Sequence, residues 1–549
     1  MKLNGAQIVV RRLMAHGVTT VFGYPGAAVL RLYDELYRCA HQIHHVLAAH
    51  EQGAAHAADG YARANGNTGV VITTSGPGAT NLITGVANAY LDSVPMVVIT
   101  GNVAVPLLGR DSFQEVDIIG ITQPVVKHSF MVRRADELEY TLDEAFRVAA
   151  SDRPGPVLVD ISESVQADCC EYIGKPPAKE QIRSYPFDME RAVTAIKQSK
   201  RPYIYAGGGV ISSGAETELR RLSEQLNAPV GTSMMGLTAM PGDYKLNLGM
   251  SGMHGSYAAS AALAECDLLI ALGVRFSDRA TGDAAKYGAG KCIIHVDIDH
   301  AEMSKNVTPD IEIRGDAKNV LTRLLPLLPS KKNEAWLARI VQLKQAEQQP
   351  QSTGFNPQTV IQTISSFCED DTVIATDVGQ HQIWVTQHYK FRKPRTLLTS
   401  GGLGAMGFGL GAAIGASLAD NKRRTVLFTG DGSFGMNAVE LATAVSQGLP
   451  VLVVILNNNA LGLPRQWQGM FFEQRYSQST LARKTDFAAL AYAFGAQGHT
   501  IESLPQLEAA LAQLPDDRPT VLDCRIDIDE KVFPMIPPGG SINNIIVKG

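Results

Sequence analysis

Short apolar runs alternate with helical or polar stretches along almost the whole chain. Many of these runs are rich in β-branched residues and end in a turn that contains glycine, aspartate or asparagine. That pattern is typical of parallel strands buried on both faces. The predicted strands are residues 18–22, 46–48, 202–206, 267–272, 291–296, 425–429 and 451–456. Strands that alternate with helices predict an α/β protein with doubly wound parallel sheets.

The stretch 424–459 contains the clearest candidate site. A strand at 425–429 is followed by a turn of Gly430, Asp431, Gly432 and Ser433 and by a helical pattern from about 437 to 445. The second strand, 451–456, runs into Asn458. Asp431 and Asn458 would therefore stand at the carboxyl ends of neighbouring strands, where open α/β sheets bind ligands. Oxygen ligands beside the free N–H groups of a helix indicate Mg²⁺ that holds a diphosphate.

The stretch 69–102 repeats this arrangement near the other end of the chain. It has a strand, a glycine-containing turn from Ser75 to Gly78, a helix, Pro95 and a second strand. We therefore predict two α/β domains of like topology, one at each end. The middle region, about 190–330, also alternates, but its turn at residues 207–209 is Gly-Gly-Gly and does not match the GxGxxG pattern of dinucleotide-binding domains.

Composition narrows the class of protein. The chain has 549 residues, of which 45% are hydrophobic, and this suits a globular protein of about three domains. A net charge of −5 without a basic run argues against nucleic acid as a partner. Seven cysteines at scattered positions, without a CxxC pair, favour reduced thiols and a cytoplasmic location. No apolar run is long enough to cross a membrane, and Arg11 and Arg12 interrupt the N-terminal helix too early for a signal peptide.

Glu51 is a second candidate for chemistry. It follows a predicted strand and opens an alanine-rich helix, 52–64. A carboxylate at a helix N-terminus is commonly there only because the helix dipole favours it. The alternative is an acid directed at a ligand, and the diphosphate site expected in the C-terminal domain gives that alternative weight.

Ordered motifs along the chain resemble one enzyme family. They include GYPGAAVLRLYDEL, AAHEQGAAHAADGYARANG, TSGPGATNLITGVANAYLDSVPMVVITG, GRDSFQEVD, GMSGMHG, GVRFSDR, DVGQHQIW, TSGGLGAMGFG, TGDGSF, LGLPRQWQ and VFPMIPPGG. Together they resemble the catalytic subunits of acetohydroxyacid (acetolactate) synthase, a thiamine-diphosphate (ThDP) enzyme. The distance from Asp431 to Asn458 also resembles the ThDP motif, in which GDG precedes a pair of asparagines.

The resemblance implies a particular domain organisation. It comprises a pyrimidine-binding domain at 1–165, a central FAD-associated domain at 188–330 and a diphosphate- and Mg²⁺-binding domain at 358–549. The predicted linkers are 166–187 and 331–357. The resemblance further implies a homo-oligomer, dimer or tetramer, with ThDP and Mg²⁺ at a dimer interface and FAD in a structural role. It leaves open whether a small regulatory subunit binds.

The resemblance also implies a reaction. Pyruvate is decarboxylated and its remaining two-carbon unit is joined to a second 2-oxo acid. A second pyruvate gives 2-acetolactate, and 2-oxobutyrate gives 2-aceto-2-hydroxybutyrate, on the routes to valine, leucine and isoleucine. Glu51 would bind the aminopyrimidine of ThDP and favour its imino tautomer, which takes the thiazolium C2 proton.

The remaining site residues are expected from the same resemblance. Those expected near the substrates or the reacting atoms are Glu51, Phe113, Gln114, Met253, Arg279 and Trp467. Those expected at ThDP are Pro25, Gly26, Ser75, Gly78, Asn81, Val378, Gly379, Gln380, His381, Gly404, Met406, Gly430, Gly432, Ser433 and Leu463. Those expected at Mg²⁺ are Asp431, Asn458 and Ala460. Those expected at FAD are Arg153, Gly207, Gly208, His254, Gly273, Arg275, Asp297, Ile298 and Asp316.

The chain departs from the family at several positions. Glu163 replaces a lysine at the substrate entrance, which should weaken the steering of anionic substrates. Pro464 replaces a valine before the QWQ run and is expected to change the loop there. Ala27, Ala49 and Gly411 replace a glycine, an arginine and a proline. These departures keep two alternatives open, namely another ThDP enzyme of the pyruvate oxidase or 2-oxo acid decarboxylase type and a weakly active paralogue that assists assembly.

Overall fold

The structure, a computed structural model, describes residues 1–178, 185, 188–347, 353–420, 422–537, 539–540 and 544–547. Three sheets of six parallel strands each lie along the chain, and helices cover their faces. This confirms the predicted fold class of three doubly wound α/β domains. Within the described residues no helix is long and apolar enough to cross a membrane.

The N-terminal part of the chain builds the first sheet, in the strand order β3-β2-β4-β5-β7-β6. Two further short strands, β1 and β8, form an antiparallel pair outside it. The strands are β1 Lys2–Asn4, β2 Thr20–Tyr24, β3 His44–Leu47, β4 Gly69–Thr73, β5 Met96–Asn102, β6 His128–Val132, β7 Pro156–Ser162 and β8 Cys169–Glu171. The helices are α1 Gly5–Ala15, α2 Leu30–Arg38, α3 Glu51–Asn65, α4 Pro77–Thr80, α5 Ile83–Leu91, α6 Ile118–Thr122, α7 Leu138–Ala150 and α8 Glu163–Ala167.

The middle part builds the second sheet, in the order β11-β10-β9-β12-β13-β14, which is the strand order of dinucleotide-binding domains. Its strands are β9 Pro202–Ala206, β10 Val230–Thr232, β11 Asn247–Met250, β12 Leu268–Leu272, β13 Cys292–Asp297 and β14 Ile311–Arg314. Its helices are α9 Met189–Gln198, α10 Gly208–Ser212, α11 Glu216–Leu226, α12 Tyr257–Glu265, α13 Asp278–Thr281, α14 Ala284–Tyr287, α15 Ala317–Leu324 and α16 Glu334–Glu347.

The C-terminal part builds the third sheet, in the order β16-β15-β17-β18-β20-β19. Its strands are β15 Val373–Thr376, β16 Leu397–Leu398, β17 Thr425–Gly430, β18 Leu452–Asn457, β19 Gln497–Ile501 and β20 Thr520–Arg525. Its helices are α17 Pro357–Phe367, α18 Gln380–His388, α19 Phe408–Ala419, α20 Asp431–Asn437, α21 Leu441–Ser446, α22 Gly462–Phe471, α23 Phe487–Phe494 and α24 Leu504–Leu511.

The first and third sheets have the same topology, as predicted. Counted along the chain, each places its strands in the order second, first, third, fourth, sixth and fifth. Helices α3 and α19 occupy equivalent places and pack against each other in one hydrophobic core shared by both domains. Their backbones approach closely because small residues face each other. A Cβ on Gly60 would overlap the carbonyl oxygen of Ala412, and one on Gly415 would overlap that of Ala57.

Two local expectations need correction. The helix after β17 begins at Asp431 and not near residue 437, since α20 starts directly after Gly430 and a 3₁₀ turn, Ala438–Glu440, joins it to α21. Glycines at 430, 432 and 435 are weak helix formers, so the pattern resembles a longer turn. The expected linker 331–357 contains α16, whose Trp336, Ile340 and Leu343 pack in a core of the middle domain.

Candidate active site

Glu51 is the first residue of α3 and lies beside the turn after β4. Its Oε2 accepts a hydrogen bond from Asn81 Nδ2 at 2.9 Å. A Cβ on Gly78 would lie 3.5 Å from Glu51 Oε1, so the glycine leaves room for the carboxylate. Three residues expected at one cofactor, Glu51, Gly78 and Asn81, therefore meet here, and the turn that brings them together contains Ser75.

Two neighbouring loops border this N-terminal cluster. Gly26, which follows Pro25, packs against Thr74, and a Cβ there would lie 2.5 Å from the Thr74 Cβ. Gln114 packs against Gly76, where an added Cβ would lie 2.9 Å from the Gln114 Cα. The adjoining Phe113 is 88% exposed, which is unusual for an aromatic side chain in a folded domain.

A carboxylate that the sequence did not reveal holds the backbone just before Glu51. Glu440, a buried residue of the C-terminal domain, accepts the N–H of His50 at 3.0 Å and that of Ala49 at 3.2 Å. Thr443 Oγ1 accepts the Ala49 N–H at 3.1 Å and donates to Glu440 Oε2 at 2.6 Å. Burial raises the pKa of Glu440, while the hydrogen bonds from Thr443, Ala49 and His50 oppose that rise.

Asp431 and Asn458 end neighbouring strands of the C-terminal sheet, as predicted. Asp431 is buried, and its Oδ1 accepts no hydrogen bond within the described part of the chain. Burial raises the pKa of Asp431 to about 6. Asn458 Oδ1 accepts the Ala460 N–H at 3.2 Å and its Nδ2 donates to Gln380 Oε1 at 3.2 Å. A buried carboxylate oxygen without a partner, beside an amide oxygen, fits a hard cation such as Mg²⁺.

The loop 377–379, between β15 and α18, leads to Gln380, which contacts Asn458. Asp377, which the sequence analysis missed, accepts the N–H groups of Val378 and Gly407, each at 2.8 Å, and thereby joins two loops expected at the cofactor. Ser433 Oγ donates to the Val378 carbonyl at 3.0 Å. Gly407 lies 30 residues after Asp377 in the sequence, so no local sequence pattern indicates the role of Asp377.

Gln380 and His381 are the first two residues of α18, immediately after Gly379. Gln380 Nε2 donates to Gln466 Oε1 at 3.0 Å and to the Glu530 carbonyl at 2.8 Å. The His381 ring lies against Gly430, where a Cβ would be 3.0 Å from Nδ1. Its buried Nε2 has no partner within the described residues, and burial lowers the pKa of His381 to about 3. A neutral imidazole is therefore available to bind a polar ligand beside Asp431.

Small residues also keep space open around Met406. A Cβ on Gly432 would lie 2.7 Å from Leu461 Cδ2 and 3.9 Å from Met406 Cε. A Cβ on Gly404 would lie 3.9 Å from Val378 Cγ1. Gly404, Met406, Val378 and Gly432 are thus close neighbours, in agreement with the shared site expected for them.

A cavity of about 1300 Å³ lies between the three domains. Eight of the nine residues expected at FAD line it, and Gly207 does not. Those eight are Arg153, Gly208, His254, Gly273, Arg275, Asp297, Ile298 and Asp316. Gly207 instead packs against Gly273 of the cavity wall, so closely that a Cβ on Gly207 would overlap the Gly273 carbonyl oxygen. The volume and the lining arginines fit a large anionic ligand such as a dinucleotide.

Charged residues on the wall of this cavity hold the domains together. Arg153 donates to Ser93 Oγ at 2.8 Å in its own domain and to Glu302 Oε1 at 2.7 Å in the middle domain. Burial raises the pKa of Asp297 to about 7, and Asp297 Oδ1 accepts the Asp299 N–H at 2.9 Å. Burial lowers the pKa of Arg275.

Three of the residues expected near the substrates, Met253, Arg279 and Trp467, meet on the wall of the same cavity. The Arg279 guanidinium lies 5.8 Å from the centre of the Trp467 ring. Arg279 Nη1 is 3.3 Å from Met253 Sδ, and the Met253 N–H donates to the Arg279 carbonyl at 2.8 Å. Leu463 and Pro464 line the same cavity. A middle-domain arginine and a C-terminal-domain tryptophan therefore face one space.

The segment around Pro464, expected to be a loop, is the start of a helix. Helix α22 begins at Gly462, so Pro464 lies in its first turn. N–H groups there have no partner within the helix, and proline consequently costs no helical hydrogen bond.

The other departures from the family are also accommodated. Ala27 begins a 3₁₀ turn and is not among the residues with positive φ. Gly411 lies in α19 where a Cβ would be 2.8 Å from the Gly53 carbonyl oxygen. The Ala49 side chain is exposed. Glu163, the first residue of α8, is partly exposed, with Oε1 3.7 Å from Arg31 Nε.

Within one chain the expected residues form two separate clusters. Glu51, Asn81, Gln114 and their neighbours lie in the N-terminal domain, and Asp431, Asn458 and their neighbours lie in the C-terminal domain. In the described ranges no hydrogen bond or ion pair joins Glu51 to Asp431 or to Asn458. Trp467, with Arg279 and Met253 beside it, lies in α22, whose Gly462 packs against Gln380 and Asn458 of the second cluster.

Comparisons with known proteins agree with this organisation. Three family models match in order: the N-terminal TPP binding domain of thiamine pyrophosphate enzymes at residues 3–121, their central domain at 189–324 and their C-terminal TPP binding domain at 377–524. TPP is another abbreviation of thiamine diphosphate.

Similar full-length proteins were also found. The acetolactate synthase isozyme 2 large subunit of Escherichia coli is 45% identical over 100% of both chains. The large subunit from Buchnera aphidicola is 44% identical over 99% of this chain and 98% of its own. A probable large subunit from Methanocaldococcus jannaschii is 44% identical over 99% of this chain and 95% of its own. The chain thus belongs to the acetolactate synthase large subunits, a family of thiamine-diphosphate enzymes.

Proposed function

We propose that the chain is the catalytic subunit of an acetolactate synthase. It decarboxylates pyruvate and joins the two-carbon unit to a second 2-oxo acid, pyruvate or 2-oxobutyrate. The observation that carries this proposal is that Arg279 and Trp467 line one cavity, with the guanidinium 5.8 Å from the centre of the indole ring. A guanidinium suits the planar carboxylate of a second 2-oxo acid, and the indole face suits its alkyl chain.

ThDP supplies the electron sink that makes decarboxylation of a 2-oxo acid possible. The protein's part is to hold and polarise it. Asp431 Oδ1 and Asn458 Oδ1, with the Ala460 carbonyl, are the proposed Mg²⁺ ligands, and Gln380, His381 and Ser433 border the diphosphate space. Glu51 is the proposed acid that exchanges a proton with the aminopyrimidine. Asn81, which donates to Glu51 at 2.9 Å, fixes the direction of its carboxylate.

The placement of Glu51 and Asp431 in different domains supports a dimer. Both have to face the same ThDP, yet in the described part of one chain no hydrogen bond joins Glu51 to Asp431 or to Asn458. A second chain would bring its own Glu51 cluster to the Asp431 cluster and would cover the exposed Phe113. We propose a homo-oligomer in which every centre takes Glu51 from one subunit and Asp431 with Asn458 from another.

FAD is the proposed occupant of the inter-domain cavity. The lining glycines at 208 and 273 leave room for a ligand against the backbone, and arginines surround the space. The proposed domain bounds, 1–165, 188–330 and 358–549, each contain one matched family model. A cytoplasmic location and the binding of a small regulatory subunit are proposed from the family alone.

The decisive experiment incubates the purified chain with pyruvate, ThDP, Mg²⁺ and FAD and measures acetolactate and acetaldehyde. We expect acetolactate as the main product, and 2-aceto-2-hydroxybutyrate when 2-oxobutyrate is added. Acetaldehyde as the sole product would instead indicate a decarboxylase. The absence of both products from a folded protein that binds ThDP would indicate the weakly active paralogue.

A further inference from the structure

A carboxylate of the N-terminal domain holds a loop of the C-terminal domain. The loop 400–406 precedes α19, and its Gly401 and Gly402 N–H groups donate to the two carboxylate oxygens of Asp92 at 3.0 and 2.7 Å. Asp92 follows α5, and its side chain is 0% exposed. The position of this loop is consequently set by a residue of another domain.

A second anchor holds the same loop at Ser400. Ser400 Oγ donates to Asn88 Oδ1 at 2.5 Å and accepts the Ala405 N–H at 2.9 Å. Asn88 lies on α5, one turn before Asp92. One helix end of the N-terminal domain therefore fixes the start of the loop, and Ser400 ties the start to the end.

Arg63 completes a buried charge network. Its Nη2 donates to Asp92 Oδ2 at 2.9 Å and its Nη1 donates to the Thr399 carbonyl at 3.0 Å. Asp59, one turn earlier on α3, also pairs with Arg63 but does not touch the loop. Burial lowers the pKa of Arg63, but the charges of Asp59 and Asp92 outweigh it and raise that pKa above its ordinary value. Two carboxylates thus share one guanidinium, and only Asp92 reaches the loop.

The loop forms part of the wall of the cavity between the domains. Residues 400–404 line the cavity, and a Cβ on Gly402 would lie 3.1 Å from Nη2 of Arg275, a residue expected at FAD. The loop then continues to Met406 beside Gly432. We propose that Asp92 is a positioning residue, which fixes loop 400–406 as the common wall of the flavin space and the catalytic space. This inference rests on the proposed function of the cavity.

A similar contact before α3 supports the role proposed for Asp92. Asp92 holds the backbone before α19, and Glu440 holds the backbone before α3. Because α3 and α19 occupy equivalent places in two sheets of like topology, each outer domain uses one buried carboxylate to fix the other's loop. Such reciprocal contacts are expected if the two carboxylates position the loops, and not if they only fill space between the domains.

The test compares Asp92→Asn with its matched control Asp59→Asn. An asparagine at 92 offers one acceptor oxygen, so one loop N–H loses its partner. Asp59→Asn removes the same charge from Arg63 but keeps an oxygen that can accept from Asn88 Nδ2, which donates to Asp59 Oδ2 at 3.0 Å, and it does not touch Gly401 or Gly402. The measurements are hydrogen–deuterium exchange of the loop peptide without cofactors, the absorption and fluorescence of bound FAD, the melting temperature, and kcat and KM for pyruvate.

We expect both variants to melt at a lower temperature than the parent protein. Only Asp92→Asn should speed exchange at 401–402 by about tenfold, change the flavin spectrum and lower kcat by about tenfold with little change in KM. Equal effects of the two variants on exchange and on the flavin would overturn the proposal. If Asp92→Asn fails to fold, Ser400→Ala must reproduce the loop and flavin effects, or the proposal is wrong. Loop exchange needs no turnover, so a parent protein that makes no acetolactate would refute the proposed function separately.

Discussion

Glu440 accepts the backbone N–H of His50 at 3.0 Å, one residue before the acid Glu51. The carboxylate belongs to the C-terminal domain and the N–H to the N-terminal domain, so the direction of α3 at its first residue depends on the docking of the two domains. A Cβ on Gly53 would overlap the same carboxylate, which shows how closely the two are packed.

Replacing Glu440 by glutamine should lower both stability and turnover. The amide group can accept only one of the two N–H groups, and an unpaired buried N–H costs about 1–3 kcal/mol. We expect a loss of that size in the free energy of unfolding, measured by urea denaturation, and a fall in kcat of about tenfold as Glu51 loses its alignment.

The matched control is Arg423→Gln, because Arg423 contacts α3 at the end opposite to Glu51. Arg423 Nη2 donates to the Ala64 carbonyl at 3.1 Å, so its loss weakens the same domain contact far from Glu51. This variant should lose stability but keep kcat within about twofold. Equal losses of kcat in both variants would show that Glu440 matters only for domain docking.

Asp431 should make Mg²⁺ binding depend on pH. Burial raises its pKa from 3.8 to about 6 in the metal-free protein. The cation has to compete with the proton below that value, so its affinity should rise as pH increases through about 6. Isothermal titration at several pH values, with ThDP present, measures this.

The raised pKa of Asp431 also determines how the stability of the metal-free protein changes with pH. The folded protein binds the Asp431 proton more tightly than the unfolded chain does, so this group stabilises the metal-free protein at low pH. Its contribution should be lost as pH rises from 3.8 to about 6. Asp431→Asn should abolish both dependences. Asn458→Ala removes a ligand that does not titrate, so it should weaken Mg²⁺ at every pH and keep the slope.

Much of the fold can be predicted from the sequence because the pattern of apolar residues reflects which segments are buried. The strands around Thr425–Gly430 and Leu452–Asn457 are continuous apolar runs, and Asp431 and Asn458 are placed correctly by the ends of those runs. Glu440 and Asp92 could not be found in this way, since their partners at His50 and Gly402 lie in another domain. A carboxylate that binds backbone N–H groups needs no particular residue opposite it, and therefore leaves no pattern.

The helix Glu334–Glu347 shows the other limit of the sequence analysis. Polar stretches flank this helix on both sides, and only Trp336, Ile340 and Leu343 form its buried stripe. A segment with so narrow an apolar stripe resembles a linker in its sequence. In the structure the indole N–H of Trp336 donates to the Pro202 carbonyl at 3.0 Å and attaches the helix to the middle sheet.

Glu163→Lys should raise kcat/KM for pyruvate at low ionic strength. It removes a negative charge and adds a positive one at the expected substrate entrance, and the resulting attraction of an anion acts over a Debye length. We expect an increase of a few-fold that fades as salt is added. Arg31→Gln removes the cation 3.7 Å from Glu163 and should act in the opposite direction. A gain that does not depend on salt would point to a contact with the substrate and not to steering.

Pro464→Val should change stability only slightly. Proline in the first turn of α22 restricts the unfolded chain, and its loss should cost about 0.4–1 kcal/mol of unfolding free energy. Gln468→Pro, in the interior of the same helix, should cost about 3 kcal/mol or more. Urea denaturation of both variants provides the comparison, and a large stabilisation by Pro464→Val would mean that the proline strains this turn.

The crossing of α3 and α19 has a consequence for assembly. Gly60 and Gly415 leave no gap between these helices, so Glu51 and Asp431 keep a fixed separation within one subunit. In the proposed dimer those two residues serve different centres. The spacing between the two reaction centres is then a property of the folded monomer, settled before the subunits meet, and association only supplies each centre with its missing half.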